Sequence, residues 1–243
     1  THDNLFVVDL HADSLLWNRD LLDQSDWGHV DLPRLIEGNV ALQVFSVSTH
    51  TPFEKKLDDN QTCAEGDGIN SAALLHWFQF GPGVGAQTTR ERAMEQAKRL
   101  AAYAQRSKIM HGFDESQPEL RLILTVEDLQ QLVVDRANDE NVVGAMLALE
   151  GAHWVSGDNE TVHTDVDELF DHGFRMVAAT HRFTNDLAGS SEDCNDRGSL
   201  TAAGTEFLSY AQNIGMIVDL AHLSTAGVED ALQDLSEPIV ISH

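Results

Sequence analysis

The 243-residue sequence predicts an α/β fold on a parallel sheet, open or closed into a barrel, and three observations carry that prediction. Short continuous apolar runs recur along the chain, the form taken by parallel strands covered on both faces. Amphipathic helical stretches with readable ends alternate with those runs, giving the βαβα rhythm of a parallel sheet. Glycines stand immediately before some of the runs, where a helix would close in a left-handed C-cap.

The elements follow in order. Leu5–Leu10 is the first expected strand, with Leu5, Phe6, Val7 and Val8 buried. A short helix comes next, with Pro33 near its start and Gly38 just past its end. Val40–Val47 is the second strand. Residues 48–87, with Gly66, Gly68, Gly81, Gly83 and Gly85, read as a long excursion from the scaffold. Thr88 and Glu91 form a T-x-x-E capping box before a helix carrying Met94, Ala97, Ala101 and Ala104 on one face. Arg121–Leu124 is an accessory strand, and Thr125 with Asp128 opens another helix. The remaining strands are Val142–Leu149, Phe174–Thr180, Met216–Leu220 and Pro238–Ile241, with Gly173 and Gly215 closing helices before two of them. Residues 185–200, rich in Asp, Asn, Ser and Gly, read as a second loop.

Composition narrows the function. At 42% hydrophobic the chain can bury a substantial core, and no run of 18 apolar residues offers a membrane span. Forty acidic against 15 basic residues, a net charge of −25, argue against nucleic acid, which needs basic surface to displace counterions. An acidic surface serves solubility or a salty medium and is hospitable to divalent cations. Cys63 and Cys194 are far apart and outside any CxxC; free thiols and a single bridge are both open. No signal peptide precedes Thr1, which leaves a processed leader or a trimmed chain open. Asn60-Gln61-Thr62 and Asn159-Glu160-Thr161 match a glycosylation pattern short enough to arise by chance.

The strand ends carry the chemistry. A buried strand has no packing reason to finish in an imidazole and a carboxylate, yet the first one runs into His11 and Asp13. At i and i+2 the two point to the same side. The later strands run out at Glu150, at His181, at His222, and at Ser242 with His243. In a parallel α/β fold the carboxyl ends of the strands gather on one face, where active sites are built. Imidazoles and carboxylates converging there are the donor set of Zn²⁺ and similar ions, and one Glu can bridge two of them. Any one of these histidines alone reads as a hydrogen-bonded loop residue; together they read as a metal site. His153, three past Glu150, reads as a supporting group behind the ligands. His2, His29, His50, His76, His111, His163 and His172 read as ordinary loop and helix residues.

Six segments in order, "VVDLHADSLLW", "VDLPRLIEGNVALQVFSVST", "LALEGAH", "FRMVAATHRFTND", "LTAAGTEFLSYAQNIGMIVDLAHLS" and "PIVISH", resemble the membrane (renal) dipeptidase family of zinc metallopeptidases, among the amidohydrolase-like barrels. Residues 48–120 match that family poorly. The resemblance implies one (β/α)₈ TIM-type barrel domain over 1–243, incomplete at its C-terminus, with an excursion at about 48–118. It implies two zinc ions: His11 and Asp13 on the first, His222 and His243 on the second, and Glu150 bridging both. His181, in its T-H-x-x-x-N-D setting, would contact substrate rather than metal, and Asp9 would stand behind the ligands. The implied reaction is hydrolysis of dipeptides by a metal-bridging hydroxide, with the metal-bridging Glu150 and His181 as the catalytic pair and a D-residue tolerated at the C-terminal position. The family continues past its fifth ligand through about two more βα units, which supply a carboxylate-binding arginine and a proton-handling aspartate; the 243 residues would be an excerpt. The rivals are a deaminase or lactonase on the same barrel, which more often opens with H-x-H than with the H-x-D seen here, and a non-catalytic barrel stabilised by its metals. Export, to a periplasm or a cell surface, is favoured over the cytoplasm, and a homodimer is left open.

Overall fold

A computed structural model describes residues 2, 5–56, 62–81, 83, 87–138, 140–194 and 198–243, without the side chain of Asn159. Gly85, Asn60 and Gln61, and the side chain of Asn159, therefore lie outside the described residues. The main sheet contains β1 (Val7–Ala12), β2 (Val40–Ser48), β5 (Glu119–Leu122), β6 (Val142–Glu150), β7 (Phe174–Ala178), β8 (Ile217–Asp219) and β9 (Ile239–Val240). Every pairing in it is parallel, in the order β1-β2-β6-β7-β8-β9. The accessory strand β5 pairs with the first half of β6, from Val142 to Ala145, and β7 takes over from Leu147 to Glu150. A small antiparallel pair, β3 (Lys55–Lys56) and β4 (Thr62–Cys63), lies in the excursion.

Helices α1 (Leu32–Glu37), α2 (Ser71–Phe80), α3 (Thr89–Phe113), α4 (Val126–Ala137), α5 (Asn159–Asp171), α6 (Ala202–Asn213) and α7 (Thr225–Asp234) separate the strands. Their ends form where the side chains supply partners for unpaired backbone groups. Asp31 accepts from the Arg34 amide at the start of α1, and both capping boxes, Thr88 with Glu91 and Thr125 with Asp128, are formed. Gly173 and Gly215 adopt φ of +92° and +94°, the left-handed turn that a residue with a Cβ resists.

The sheet curls. Laid flat at about 4.8 Å per strand, β1 and β9 would stand about 24 Å apart. Instead the rings of His11, at the end of β1, and His243, just past β9, lie 3.9 Å apart between centroids. Side chains alternate onto two faces along each strand. Leu42, Val44, Met146, Ala148 and Met176 form the smaller core, which Leu10 of β1 and Val240 of β9 join from opposite edges of the sheet. That core is the concave side of a barrel-type sheet. Phe45, Val47, Leu147, Leu149 and Val177 face outward into the larger core, with Val162, Leu169 and Phe207 of the helices. Glu150 keeps the register of Met146 and Ala148 and so opens on the concave side.

Two packing expectations are corrected. Leu5 is 59% exposed, Phe6 and Val8 are also open, and the strand begins at Val7. The reason is position: β1 is an edge strand with a partner on one side only. On α3, Leu100 rather than Ala101 continues the buried face of Met94, Ala97 and Ala104.

Candidate metal centre

Each candidate side chain arrives at the rim at or just past the carboxyl end of a parallel strand. Glu150 is the last residue of β6, His11 lies one residue before the end of β1, and Asp13 follows that strand directly. His181, His222 and His243 each come three residues after β7, β8 and β9. His222 takes φ of +65°, one of only two positive-φ residues besides glycine among the described residues. A non-glycine residue held there is a strained placement of the kind that functional sites retain.

Glu150 stands at the centre. Its Oε1 lies 3.0 Å from Nε2 of His222, 3.5 Å from Nε2 of His243 and 3.6 Å from Nε2 of His11. Its Oε2 lies 3.6 Å from Nε2 of His181. His11 Nε2 is 3.6 Å from Asp13 Oδ2, and the Nε2 atoms of His222 and His243 are 2.9 Å apart. The donor atoms fall into two overlapping triads, His11–Glu150–His243 and Glu150–His181–His222, each within 4.8 Å.

A second layer holds the rings. His222 donates from Nδ1 to the Glu192 carboxylate at 2.8 Å, and His243 Nδ1 lies 2.8 Å from Ser242 Oγ. That hydroxyl also reaches Asp219 Oδ2 at 2.5 Å. Ser48 Oγ sits 3.1 Å from His181 Nδ1. Asp9 Oδ1 accepts from the His11 amide and Asp219 Oδ1 from the Ala221 amide, two residues ahead in each case. His153 is half-buried beside the site, stacked on Phe183 at 4.1 Å with Asn185 on its Nδ1, and His50 meets the same Phe183 edge-on. Burial pushes both of these imidazoles down, toward the neutral form.

The electrostatics follow from this crowding. Burial alone would push the Glu150 carboxyl up, but the His222 hydrogen bond and the neighbouring imidazoles outweigh it and hold it at about 2. Burial lowers the His181 imidazole to about 4 despite Glu150 beside it. For His222 the balance reverses: its bonds to Glu150 and Glu192 overcome burial and lift it to about 9.

These residues fit a bound cation. Nδ1 of His222 is committed to a carboxylate that can only accept, and its Nε2 faces the His243 Nε2 and a carboxylate oxygen. Such groups repel unless a proton or a cation lies among them. Glu150 Oε2 and Asp13 Oδ1 are buried and lack hydrogen-bond partners, which is costly for carboxylate oxygens that nothing else engages. Donor atoms bound at about 2.0–2.2 Å around one tetrahedral zinc stand about 3.3–3.6 Å apart, the spacing of Glu150 from His11, His181 and His243, with His222 closer at 3.0 Å.

All six strand-end residues from the sequence reading, His11, Asp13, Glu150, His181, His222 and His243, therefore meet at one rim. His222 and His243 meet at Glu150 Oε1 as expected, His243 also lies beside His11, and His181 lies as near the carboxylate as the expected ligands do. Glu192, Ser48 and Asp219 were not anticipated. Asp219 had a readable signal, because "DLAH" repeats the Asp-then-His ending of "DLH" in β1. Glu192 and Ser48 had none, since a loop carboxylate and a strand-end serine are common.

The family model for the membrane dipeptidases (peptidase family M19) matches residues 2–243. A relative, Dipeptidase tcpJ of Claviceps purpurea, is 25% identical over 217 residues, covering 89% of this chain and 41% of its own length. The fold is similar to that of a metallo peptidase from Rhodobacter sphaeroides crystallised with a phosphinate mimic of the dipeptide L-Ala-D-Ala (TM-score 0.66, 18% identity, 98% of this chain and 65% of that one). It is similar also to that of the probable dipeptidase PvdM from Pseudomonas aeruginosa (TM-score 0.69, 15% identity, 100% of this chain and 53% of that one). The chain spans less than half the length of the curated relatives it matches. Among the described residues no helix is long and apolar enough to cross a membrane. With the match running across the six segments that carry the rim residues, the chain belongs to the membrane dipeptidase family, peptidase family M19.

Proposed function

We propose that the protein is a zinc-dependent dipeptidase holding two ions at this rim. The observation that supports it best is the Glu150 carboxylate, 4% exposed, with imidazole nitrogens of four different strands or turns around it. His11 and Asp13 would hold one ion, His222 and His243 the other, and Glu150 both. When bound, such ions supply Lewis acidity toward a carbonyl oxygen and lower the pKa of water toward neutrality.

The chain's own residues do the rest. His181 is neutral at pH 7, and with Ser48 Oγ donating to its Nδ1, its Nε2–H points into the rim, where it stabilises the oxygen that gains charge. Glu150 stays ionised and keeps the ligands' charge balanced. Leu10 and Val240 pack on the smaller core on the concave side of the same sheet. Dipeptides as substrates are supported by the family and by the named relatives, and the L-Ala-D-Ala mimic on the R. sphaeroides enzyme makes a C-terminal D-residue the first choice to try. The Cys63–Cys194 disulfide supports an exported protein, since such bridges persist in oxidising compartments.

The test is hydrolysis of L-Ala-D-Ala and L-Ala-L-Ala by the full-length protein. Turnover that is abolished by a chelator, restored by zinc and absent from Asp13→Asn is expected. Turnover indifferent to the chelator would contradict the reading.

A further inference from the structure

We propose that Glu192 is a positioning residue for His222, and that the Cys63–Cys194 disulfide holds it in place. The inference rests on His222 being a metal ligand, as proposed above.

Glu192 lies in the loop between β7 and α6, away from any strand end, yet its carboxylate is occupied on both oxygens. Oε1 accepts from His222 Nδ1 at 2.8 Å, and Oε2 accepts from Arg182 Nε at 2.7 Å. Arg182 reaches on through Nη2 to Glu54 Oε1 at 2.6 Å, in the excursion. The Glu192 amide donates to Ser190 Oγ, which in turn donates to the carbonyl of His181 at 2.6 Å. One carboxylate thus ties the turn that presents His181 to the ring of His222.

A carboxylate on Nδ1 does two things to a ligating imidazole. It fixes the tautomer, leaving the lone pair on Nε2, and it raises the basicity of that nitrogen.

What keeps Glu192 there is a seam between two segments far apart in sequence. The Ala64 amide donates to the Glu192 carbonyl at 2.9 Å, and the Cys194 amide donates to the Ala64 carbonyl at 3.1 Å. The disulfide between Cys63 and Cys194, 131 residues apart, crosses the same seam. Cys63 is fully buried, and its strand β4 pairs with β3, beside Glu54. Through Glu54, Cys63 and Ala64 the excursion thereby clamps, from outside the barrel strands, the loop that orients a metal ligand.

The test uses the purified full-length protein, with zinc affinity measured by competition against a chromophoric chelator and the His222 ring followed by ¹⁵N NMR. Glu192→Ala is expected to weaken zinc binding by about 10–100-fold and to release the Nδ1–H tautomer of His222. Glu192→Gln keeps an acceptor and loses the charge, so it should recover part of that affinity; it also serves if the alanine variant misfolds. The Cys63→Ser/Cys194→Ser pair should weaken zinc binding in the same direction with the same change in the His222 signal. Wild-type affinity and an unchanged ring signal in Glu192→Ala would overturn the positioning role. Wild-type affinity in the double serine variant, with only its melting temperature lowered, would overturn the part assigned to the disulfide. A wild-type protein that binds no zinc would instead remove the metal reading beneath the inference.

Discussion

Replacing His181 by alanine separates two roles that its position allows. The ring is 7% exposed and its Nε2 lies 3.6 Å from Glu150 Oε2, as close as His11 is to the other oxygen. By distance alone it could ligate. Which way the hydrogen bond at Nδ1 runs decides the matter. Ser48 Oγ stands 3.1 Å away and also 3.2 Å from Thr51 Oγ1. If the Ser48 hydroxyl donates to Nδ1, the ring carries its proton on Nε2 and enters the rim as a donor. With its pKa lowered to about 4, the ring is neutral at pH 7 and carries one proton, which the proposed donor role places on Nε2. Losing one preorganised donor to a developing oxyanion costs about 10²–10³ in kcat, about 2.7–4 kcal/mol. The assay is dipeptide turnover alongside zinc content by elemental analysis. His181→Ala should lose that turnover and keep the wild-type zinc content. Ser48→Ala should lose about 2–10-fold by freeing the tautomer. Loss of a zinc equivalent from His181→Ala would refute the donor assignment and make His181 a ligand.

Other predictions test the scaffold. His76 is buried with neither ring nitrogen hydrogen-bonded, and burial, with Arg99 and Arg92 nearby, lowers it to about 4. Between about pH 6.5 and 4 the unfolded chain binds a proton there that the native chain does not, so stability falls as pH drops through that window. The contribution is about 1–3 kcal/mol, and His76→Phe removes it, so the difference between wild-type and His76→Phe urea midpoints should change across that range; parallel profiles would refute it. A Cβ on Gly144 would lie 2.5 Å from Leu132 Cδ2 and 2.9 Å from Leu42 Cδ1, so Gly144→Ala should destabilise by about 1–3 kcal/mol in denaturant melts. Thr88→Ala removes the cap of α3 and should cost about 1 kcal/mol by the same measurement.

The sequence was most legible where one physical demand left one pattern. Buried parallel strands require apolar runs, and Val142–Glu150 was readable within a residue because every position in it is buried. Capping side chains and Gly173 marked helix ends for similarly local reasons. The rim residues were legible because polar groups at the ends of buried strands have no packing purpose. The first strand was misplaced because its apolar run extends over Leu5 and Phe6, which lie outside the sheet, and an edge strand need not bury both faces. Contacts between distant segments left no local trace. The pairing of Cys63 with Cys194 and the reach of Glu192 to His222 depend on two loops meeting in space. The closeness of His243 to His11 has the same origin, since curling brings β9 against β1.

Metal content per chain tests the central claim most directly. The full-length protein, purified without chelators or an affinity metal, should carry about two zinc ions per chain by elemental analysis, and Glu150→Gln should bind both more weakly because it touches both. A protein that carries no zinc and takes none up when zinc is added would contradict the account. So would full zinc occupancy in Glu150→Gln at wild-type affinity.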